Sequence, residues 1–186
     1  MIVKAGVAGL AGVAERAGIA AGTLYRYFAS KRELLAAVLS AFCDREMAAI
    51  EAAANAAPGP LSAVAAAINA CASRAVAQPR LYFAVFAETA PQPDALRAKY
   101  REQLVCKLQA LIAAAFAELP QEEAALAARA AVGALIIGLV GPLAPADPAQ
   151  ARAQVQLLTL LILRALGIPD ARARGLAVHS SLHAAR

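Results

Sequence analysis

Apolar residues recur along this chain at the three- and four-residue spacing of amphipathic helices, and there is little of the alternation typical of strands. Prolines and glycines interrupt the long alanine-leucine stretches and set their ends. The pattern predicts an all-α protein. Helices are expected at 10–17, 21–28, 31–56, 61–77, 80–89, 94–119, 121–140 and 148–166. Residues 169–186 are expected to form a flexible tail.

The composition is apolar enough to raise the question of a membrane protein, with 61% hydrophobic residues and a mean hydropathy of +0.57. The excess is alanine, which favours helices and is only weakly lipophilic. The longest uncharged run, 130–146, contains several glycines and prolines and falls short of the roughly 20 residues that a spanning helix needs. We therefore expect no membrane partner. The N-terminus lacks a charged leader followed by an apolar stretch, so a cytoplasmic location is expected.

Charge is distributed unevenly along the chain. Residues 1–33 hold five basic and two acidic side chains, whereas residues 34–168 hold ten of each. A basic N-terminal part on a neutral body is typical of nucleic-acid-binding proteins, although a solvated basic face would have the same composition.

The segment 13–35 has the pattern of a helix, a tight turn, a second helix and a capped third helix. Gly18 stands where the chain must reverse, and a left-handed backbone costs least at glycine. Val13 and Ala17 form one apolar stripe and Leu24 and Phe28 another, so these stripes are expected to face each other. The opposite side of the second helix then carries exposed residues, including two tyrosines and an arginine.

The third helix begins with Ser30-Lys31-Arg32-Glu33, which has the pattern of a capping box. We expect Ser30 to cap the helix and Glu33 to reach back to it. The two basic residues lie at the positive end of this helix, where a phosphate would be favoured.

Residues 17–31 resemble the DNA-binding segment of the TetR family, whose hallmark is Ala-Gly-Val-Ser-x-Gly-Thr-Leu-Tyr-x-His-Phe-x-x-Lys. The corresponding residues here are Ala-Gly-Ile-Ala-Ala-Gly-Thr-Leu-Tyr-Arg-Tyr-Phe-Ala-Ser-Lys. The resemblance implies a TetR-like all-α fold in which a helix-turn-helix domain precedes a helical ligand-binding and dimerisation domain. The expected divisions are 1–43, 44–168 and the tail 169–186.

The resemblance also assigns roles within the second helix. Ala21, Gly22, Thr23 and Tyr25 would enter the major groove of duplex DNA, and Tyr27 and Lys31 would contact phosphates. Arg26 belongs to the same predicted DNA-binding set. The alternatives are half-buried packing for Tyr25 and Tyr27 and a solvated charge for Arg26.

Two features depart from the family pattern. Family members carry an amphipathic helix before this motif, but only Met1 to Ala8 precede Gly9 here, so the first helix is expected to be missing or incomplete. A misplaced start codon, a truncated form and a real loss of the helix remain open. The second departure is Ala20, which stands where a serine would cap the second helix.

For the body, the family pattern implies an effector pocket in the central helices. The bulky residues of that region could line an apolar cavity with Glu88 or a tyrosine hydroxyl as its polar group, although an aromatic stripe at helical spacing is more often ordinary core. The predicted pocket residues are Met47, Cys71, Tyr82, Phe83, Phe86, Glu88, Tyr100 and Phe116.

The helices expected at 121–140 and 148–166 have broad apolar faces. The family pattern implies that they form a four-helix interface in a homodimer, whose two-fold axis matches a palindromic operator. An intrachain bundle is the alternative. The predicted interface residues are Ala130, Ala134, Ile137, Gly138, Val155, Leu158, Leu161, Ile162 and Ala165.

The sequence shows no arrangement of catalytic residues, and we predict neither an enzyme nor a cofactor. His179 and His183 are four residues apart but lack nearby acidic or cysteine partners, so no metal site is predicted. Cys43, Cys71 and Cys106 are expected to be reduced core residues. The favoured function is a ligand-responsive regulator of transcription, a repressor that a small apolar effector releases from double-stranded DNA. The alternative is a helical dimeric ligand-binding module that has lost DNA binding.

Overall fold

The computed structural model describes residues 10–86, 94–139 and 147–183. These residues form α-helices joined by short turns, and no strand occurs among them, as the sequence pattern predicts. The expected segment before Gly9 and the predicted pocket residue Glu88 lie outside the described residues. The helices are α1 (Leu10–Ala17), α2 (Ala21–Tyr27), α3 (Lys31–Asn55), α4 (Pro60–Ala77), α5 (Pro79–Phe86), α6 (Asp94–Ala115), α7 (Gln121–Leu139), α8 (Pro148–Ala165) and α9 (Asp170–His183).

The described residues form two hydrophobic cores, and α3 belongs to both. The small core joins Leu10 and Ala14 of α1, Leu24 of α2 and Leu34 of α3. The large core begins at Leu39 on the same helix and continues through α4 and α6 to α9. The division expected at 43/44 therefore falls inside a continuous helix of 25 residues, which links the two parts mechanically.

Helix α4 is the centre of the large core, in contact with α3, α6, α7, α8 and α9. Its residues are buried on several sides, which explains its apolar composition. By length and composition alone α4 is the one helix in the described part that could cross a membrane, but 56% of it is buried inside the protein, as for the core helix of a soluble protein.

The prediction of a flexible tail after residue 168 is wrong for residues 170–183, which form α9. Gly167 has a φ of +80° and ends α8, with the Ile168 N–H donating to the Leu163 carbonyl over 3.2 Å. Helix α9 then buries Ala173 and Ala177 against α4 and α8. Small residues at positions 173, 177 and 180 have the helical spacing that indicates this face.

Helix α6 ends at Ala115, four residues before the predicted end at 119. Pro120 disfavours a helical backbone in the residue before it, so the chain turns over residues 116–119. The turn is closed by the Leu119 N–H, which donates to the Phe116 carbonyl over 2.9 Å.

The cysteines differ in their surroundings. Cys43 and Cys71 are buried, as expected, and burial raises the pKa of each thiol to about 12. Cys106 is exposed, which corrects the expectation of three core cysteines.

Thiol labelling of the native protein should therefore modify one cysteine rapidly. At pH 8 a thiol with a pKa of about 12 is ionised to roughly one part in ten thousand, and the thiolate is the reactive form. We expect a chromogenic disulfide reagent to react quickly with Cys106 and with the other two only after denaturation. The Cys106→Ser variant should lose the fast phase; a second fast thiol in this variant would contradict the burial of Cys43 and Cys71.

Candidate functional site

The turn between α1 and α2 is built as the sequence predicts. Gly18 adopts a φ of +68°, the left-handed conformation that glycine reaches at least cost. The Gly18 N–H donates to the Glu15 carbonyl over 3.1 Å, and the Ile19 N–H to the Ala14 carbonyl over 3.0 Å. This pair of hydrogen bonds ends α1 and sets the direction of α2.

Helix α2 is held on one side and presented to solvent on the other. Leu24 is buried in the small core and Phe28 packs against it. Tyr25 and Tyr27 are 54% and 65% exposed. These exposures remove the alternative of half-buried packing within the protomer for both tyrosines.

The other predicted DNA-binding residues differ in exposure, and Ala21 packs against the small core. Gly22, Thr23 and Arg26 are exposed, and Ala21 and Lys31 are half-buried. The Arg26 guanidinium lies 5.2 Å from the centre of the Tyr27 ring and donates a hydrogen bond to its hydroxyl over 3.4 Å. This contact orients a cation and a phenol together toward solvent.

Helix α3 begins with the predicted capping residues. The Ser30 Oγ accepts a hydrogen bond from the Glu33 N–H over 3.2 Å. The Glu33 carboxylate accepts from the N–H of Ala29 over 2.8 Å, one residue before the cap. Lys31 and Arg32 thus lie in a first helical turn whose position relative to α2 is set by two hydrogen bonds.

The start of α2 lacks such a cap. Ala20 has the extended backbone of an N-cap residue, with φ −64° and ψ 134°, but no side-chain hydrogen bond. The Ala20→Ser variant should gain about 0.5 to 1 kcal/mol in the free energy of unfolding, because its hydroxyl can accept from the Gly22 or Thr23 N–H. Urea denaturation would measure this gain. Ala29→Ser, at an exposed non-cap position, is the matched control; equal values for the two variants would contradict capping at residue 20.

The predicted aromatic pocket is not formed by the described residues. Tyr82 and Tyr100 are fully buried, and Phe42 packs edge-on against Tyr82 with ring centres 5.4 Å apart. The void beside Tyr82 and Cys71 is only about 10 Å³. Met47 and Phe116 are half-buried against the core and Phe83 is 45% exposed; nothing is described of the Phe86 side chain. The tyrosines therefore pack as core.

A buried ion pair explains why this region is filled. The Glu46 carboxylate is fully buried and accepts from Arg74 Nε and Nη2 over 2.6 and 2.5 Å. The Tyr82 hydroxyl donates to the same carboxylate over 2.7 Å. Burial raises the pKa of the Tyr82 and Tyr100 hydroxyls, and the hydrogen bonds to Glu46 raise that of Arg74. The Tyr82 hydroxyl thus donates its hydrogen to the Glu46 carboxylate and not to a ligand.

A cavity of about 390 Å³ lies elsewhere, between α3, α4 and α9. Its walls are mostly alanines of α3 and α4, with Leu176 from α9. Polar groups enter from one side, among them Asn69, Ser73 and Arg74. This cavity was not predicted because its residues are small. Its signal in the sequence is a series of small residues at helical spacing, alanines within 49–57 and alanines and serines within 62–73.

The predicted interface residues divide by exposure. Ile137 and Leu161 are 66% and 48% exposed, and Ala130 and Ala165 are also exposed. Val155 and Ile162 are buried in the protomer's own core, which removes them from the interface set. Leu158 packs against Gly138, where an added Cβ would lie 3.1 Å from its Cδ2 atom, so both belong to the contact of α7 with α8. Ala134 is half-buried.

Two further apolar residues, missed from the sequence, complete the exposed face of α7 and α8. Leu126 and Leu157 are 64% and 54% exposed. On α7 the exposed stripe runs through positions 126, 130, 133 and 137, and on α8 through 153, 157, 161 and 165. This surface, called the α7/α8 face below, has the helical spacing of a packing interface.

His179 is exposed on α9, and nothing is described of the His183 side chain. Within residues 10–86, 94–139 and 147–183, no cluster of three or more metal-binding side chains occurs.

Comparison with known proteins agrees with this architecture. Residues 3–38 match the family described as bacterial regulatory proteins, tetR family. The sequence matches none of the curated proteins. The fold is similar to that of a TetR/AcrR-family transcriptional regulator from Thermobifida fusca YX-ER1, with a TM-score of 0.67 and 22% identity over 84% of this chain and 85% of that one.

Two further solved structures share the fold. The fatty acid degradation regulator FadR from Bacillus halodurans has a TM-score of 0.70 and 23% identity over 87% of this chain and 88% of its own. RolR, solved without ligand, has a TM-score of 0.61 and 21% identity over 91% and 85%. The resemblance found in the sequence is confirmed: the chain has a TetR-like fold, with a tetR-family helix-turn-helix domain followed by a helical domain.

Proposed function

We propose that this protein is a dimeric transcriptional repressor whose α2 enters the major groove of a palindromic operator. The observation that carries the proposal is the exposed side of α2, with Tyr25 and Tyr27 more than half exposed on a helix anchored by Leu24. A short helix with small residues at its N-terminal end and aromatic and basic groups beside them suits close approach to base edges and phosphates. The proposed location is cytoplasmic.

The proposed dimer joins two copies through the α7/α8 face. Exposed apolar stripes on two adjacent helices leave a surface that water solvates poorly, and a two-fold axis lets the same surface cover itself. The two recognition helices would then lie on one side of the dimer.

Release by an effector is the third part of the proposal. The cavity between α3, α4 and α9 has the size of a small-molecule site. One of its walls is the C-terminal half of α3, whose first turn follows α2 directly. A ligand that favours one position of α3 would shift the population of DNA-binding geometries.

Fluorescence anisotropy with the DNA that flanks the protein's own gene tests the proposal. We expect saturable, salt-dependent binding. The Lys31→Ala variant should lower the slope of log affinity against log salt by about one per protomer and leave the site preference unchanged, because a phosphate contact carries no sequence information.

Lys99→Ala is the matched control, since Lys99 is an exposed lysine on α6, in the body of the protein. For Lys99→Ala, the slope of log affinity against log salt should equal that of the parent protein. Equal slopes for both variants would remove Lys31 from the contacts. Absence of DNA binding by the parent protein would favour the alternative, a dimeric ligand-binding module without DNA recognition.

A further inference from the structure

The cavity between α3, α4 and α9 is elongated along the two helices that form most of its lining. On α3 its lining comprises Ala49 and Ala53, and it continues through Ala56 and Ala57 in the turn that follows. On α4 it runs from Ser62 to Arg74. The two helices are joined by a short turn at 56–59, so they run in opposite directions and the groove has two distinct ends.

One end of this groove is apolar and the other carries most of the hydrogen-bonding groups. Ala56, Ala57 and Pro58 lie at the turn between α3 and α4, with the Ser62 hydroxyl nearby. Asn69, Ser73 and Arg74 lie toward the other end, and α9 contributes His179 and Ser180. A molecule in the groove would therefore place an apolar chain near the turn and a polar head group near Arg74.

The charge at the polar end is already neutralised. Both hydrogen bonds between Arg74 and Glu46 are short, at 2.6 and 2.5 Å, and Glu46 is fully buried. A carboxylate ligand would have to compete with Glu46 for the guanidinium and leave a buried carboxylate without its counter-ion. An ammonium head group would find no counter-ion, because Glu46 is paired with Arg74 and none of the described carboxylates lines the cavity.

Neutral groups at this end are arranged to receive a hydroxyl. The Ser73 Oγ donates to Asn69 Oδ1 over 3.3 Å, and Asn69 Nδ2 donates to Ser181 Oγ over 3.1 Å. The Ser73 oxygen, whose hydrogen is used, keeps lone pairs that can accept from a ligand hydroxyl.

We infer that this cavity binds an elongated, uncharged, mainly apolar molecule with one hydroxyl head group placed beside Ser73 and Arg74. The inference deepens the proposed function and rests on it for the regulatory role of the site. The selectivity follows from the ion pair of Glu46 with Arg74, which excludes charged head groups of either sign.

Three probes with the same octyl chain test the inference: octanol, octanoate and octylammonium. Isothermal titration calorimetry on the full chain at pH 8 should show saturable octanol binding that is roughly tenfold or more tighter than that of either charged probe. Equal or tighter binding of octanoate would overturn the inference, as would the absence of saturable octanol binding.

Cavity-filling variants locate the site. Ala53→Leu and Ala66→Leu place a larger side chain in the groove from opposite walls and should weaken octanol binding by roughly tenfold or more. Ala52→Leu, at an exposed position of α3, is the matched control and should bind octanol as the parent does. Circular dichroism verifies that each variant is folded. Unchanged octanol binding in folded Ala53→Leu and Ala66→Leu would overturn the placement.

The Glu46→Gln variant tests the source of the selectivity. It removes the negative charge while keeping a hydrogen-bonding side chain, so Arg74 becomes an uncompensated cation. We expect the preference to shift from octanol toward octanoate. An unchanged order of affinities in the folded variant would overturn the role of the ion pair.

Operator binding, followed by anisotropy in the same samples, separates this inference from the proposed function. Octanol binding without any DNA binding would overturn the proposed repressor function but support the inferred ligand site. DNA binding without octanol binding would overturn the inferred ligand site but support the proposed DNA-binding function.

Discussion

Replacing Glu46 with alanine should lower the free energy of unfolding by about 3 to 5 kcal/mol, the usual cost of breaking a buried ion pair from one side. The substitution leaves the fully buried Tyr82 hydroxyl without its acceptor and the Arg74 guanidinium without its counter-ion. Because the Arg74 side chain is 31% exposed, water can partly rehydrate it, so we expect a loss near the lower end. Urea denaturation followed by circular dichroism measures the change.

Glu51→Ala is the matched control. Glu51 lies on the same helix and pairs with Lys107 over 2.7 Å, but its side chain is 57% exposed. The ion pair lowers the pKa of this carboxyl group, yet solvent screening limits its contribution, and we expect a much smaller loss than for Glu46→Ala. Similar losses for Glu46→Ala and Glu51→Ala would show that the buried network does not hold α3 and α4 together.

The Ile137→Asp variant should dissociate the proposed dimer. Ile137 is 66% exposed on the α7/α8 face, and two-fold symmetry would place two new carboxylates in one interface. Burying an unpaired charge costs several kcal/mol, so the dimer affinity should fall by roughly a thousandfold or more. Sedimentation velocity over a range of protein concentrations measures this change. Operator affinity should fall in parallel, because a monomer contacts only one half-site.

Val178→Asp provides the comparison for this variant. Val178 is 46% exposed on α9, which is not part of the α7/α8 face, so its replacement introduces the same charge into another apolar surface position. We expect the dimer to persist. If Val178→Asp dissociates the dimer and Ile137→Asp does not, the interface lies around α9 instead.

The helix-turn-helix was predictable because its determinants are local. Gly18 ends α1, Ser30 begins α3, and Leu24 and Phe28 have the four-residue spacing that places both on one side of α2. Each of these features acts within a few residues of the chain. Their consequence, an exposed face with Tyr25 and Tyr27, therefore follows from the order of residues alone.

The cavity could not be predicted in the same way. Glu46 contacts Arg74 and Tyr82, which lie 28 and 36 residues further along the chain. Because of this contact, Tyr82 is a core residue and not the pocket residue that the sequence suggested. The alanines of α3 and α4 become the walls of a cavity only once α9 closes one side of them. The spacing of the residues of α9 indicated a helix, but its place against α4 depends on packing.

Periodicity, caps and turns act between neighbouring residues. They therefore determine the all-α class, the helix-turn-helix and most helix bounds. Packing of distant helices alone established which side of α8 faces inward, which removed Val155 and Ile162 from the interface and added Leu157. The same packing put the cavity beside the Glu46 ion pair. The physical reason is that burial belongs to a whole assembly of helices, so a helix with more than one apolar side leaves its inward side undetermined until its neighbours are in place.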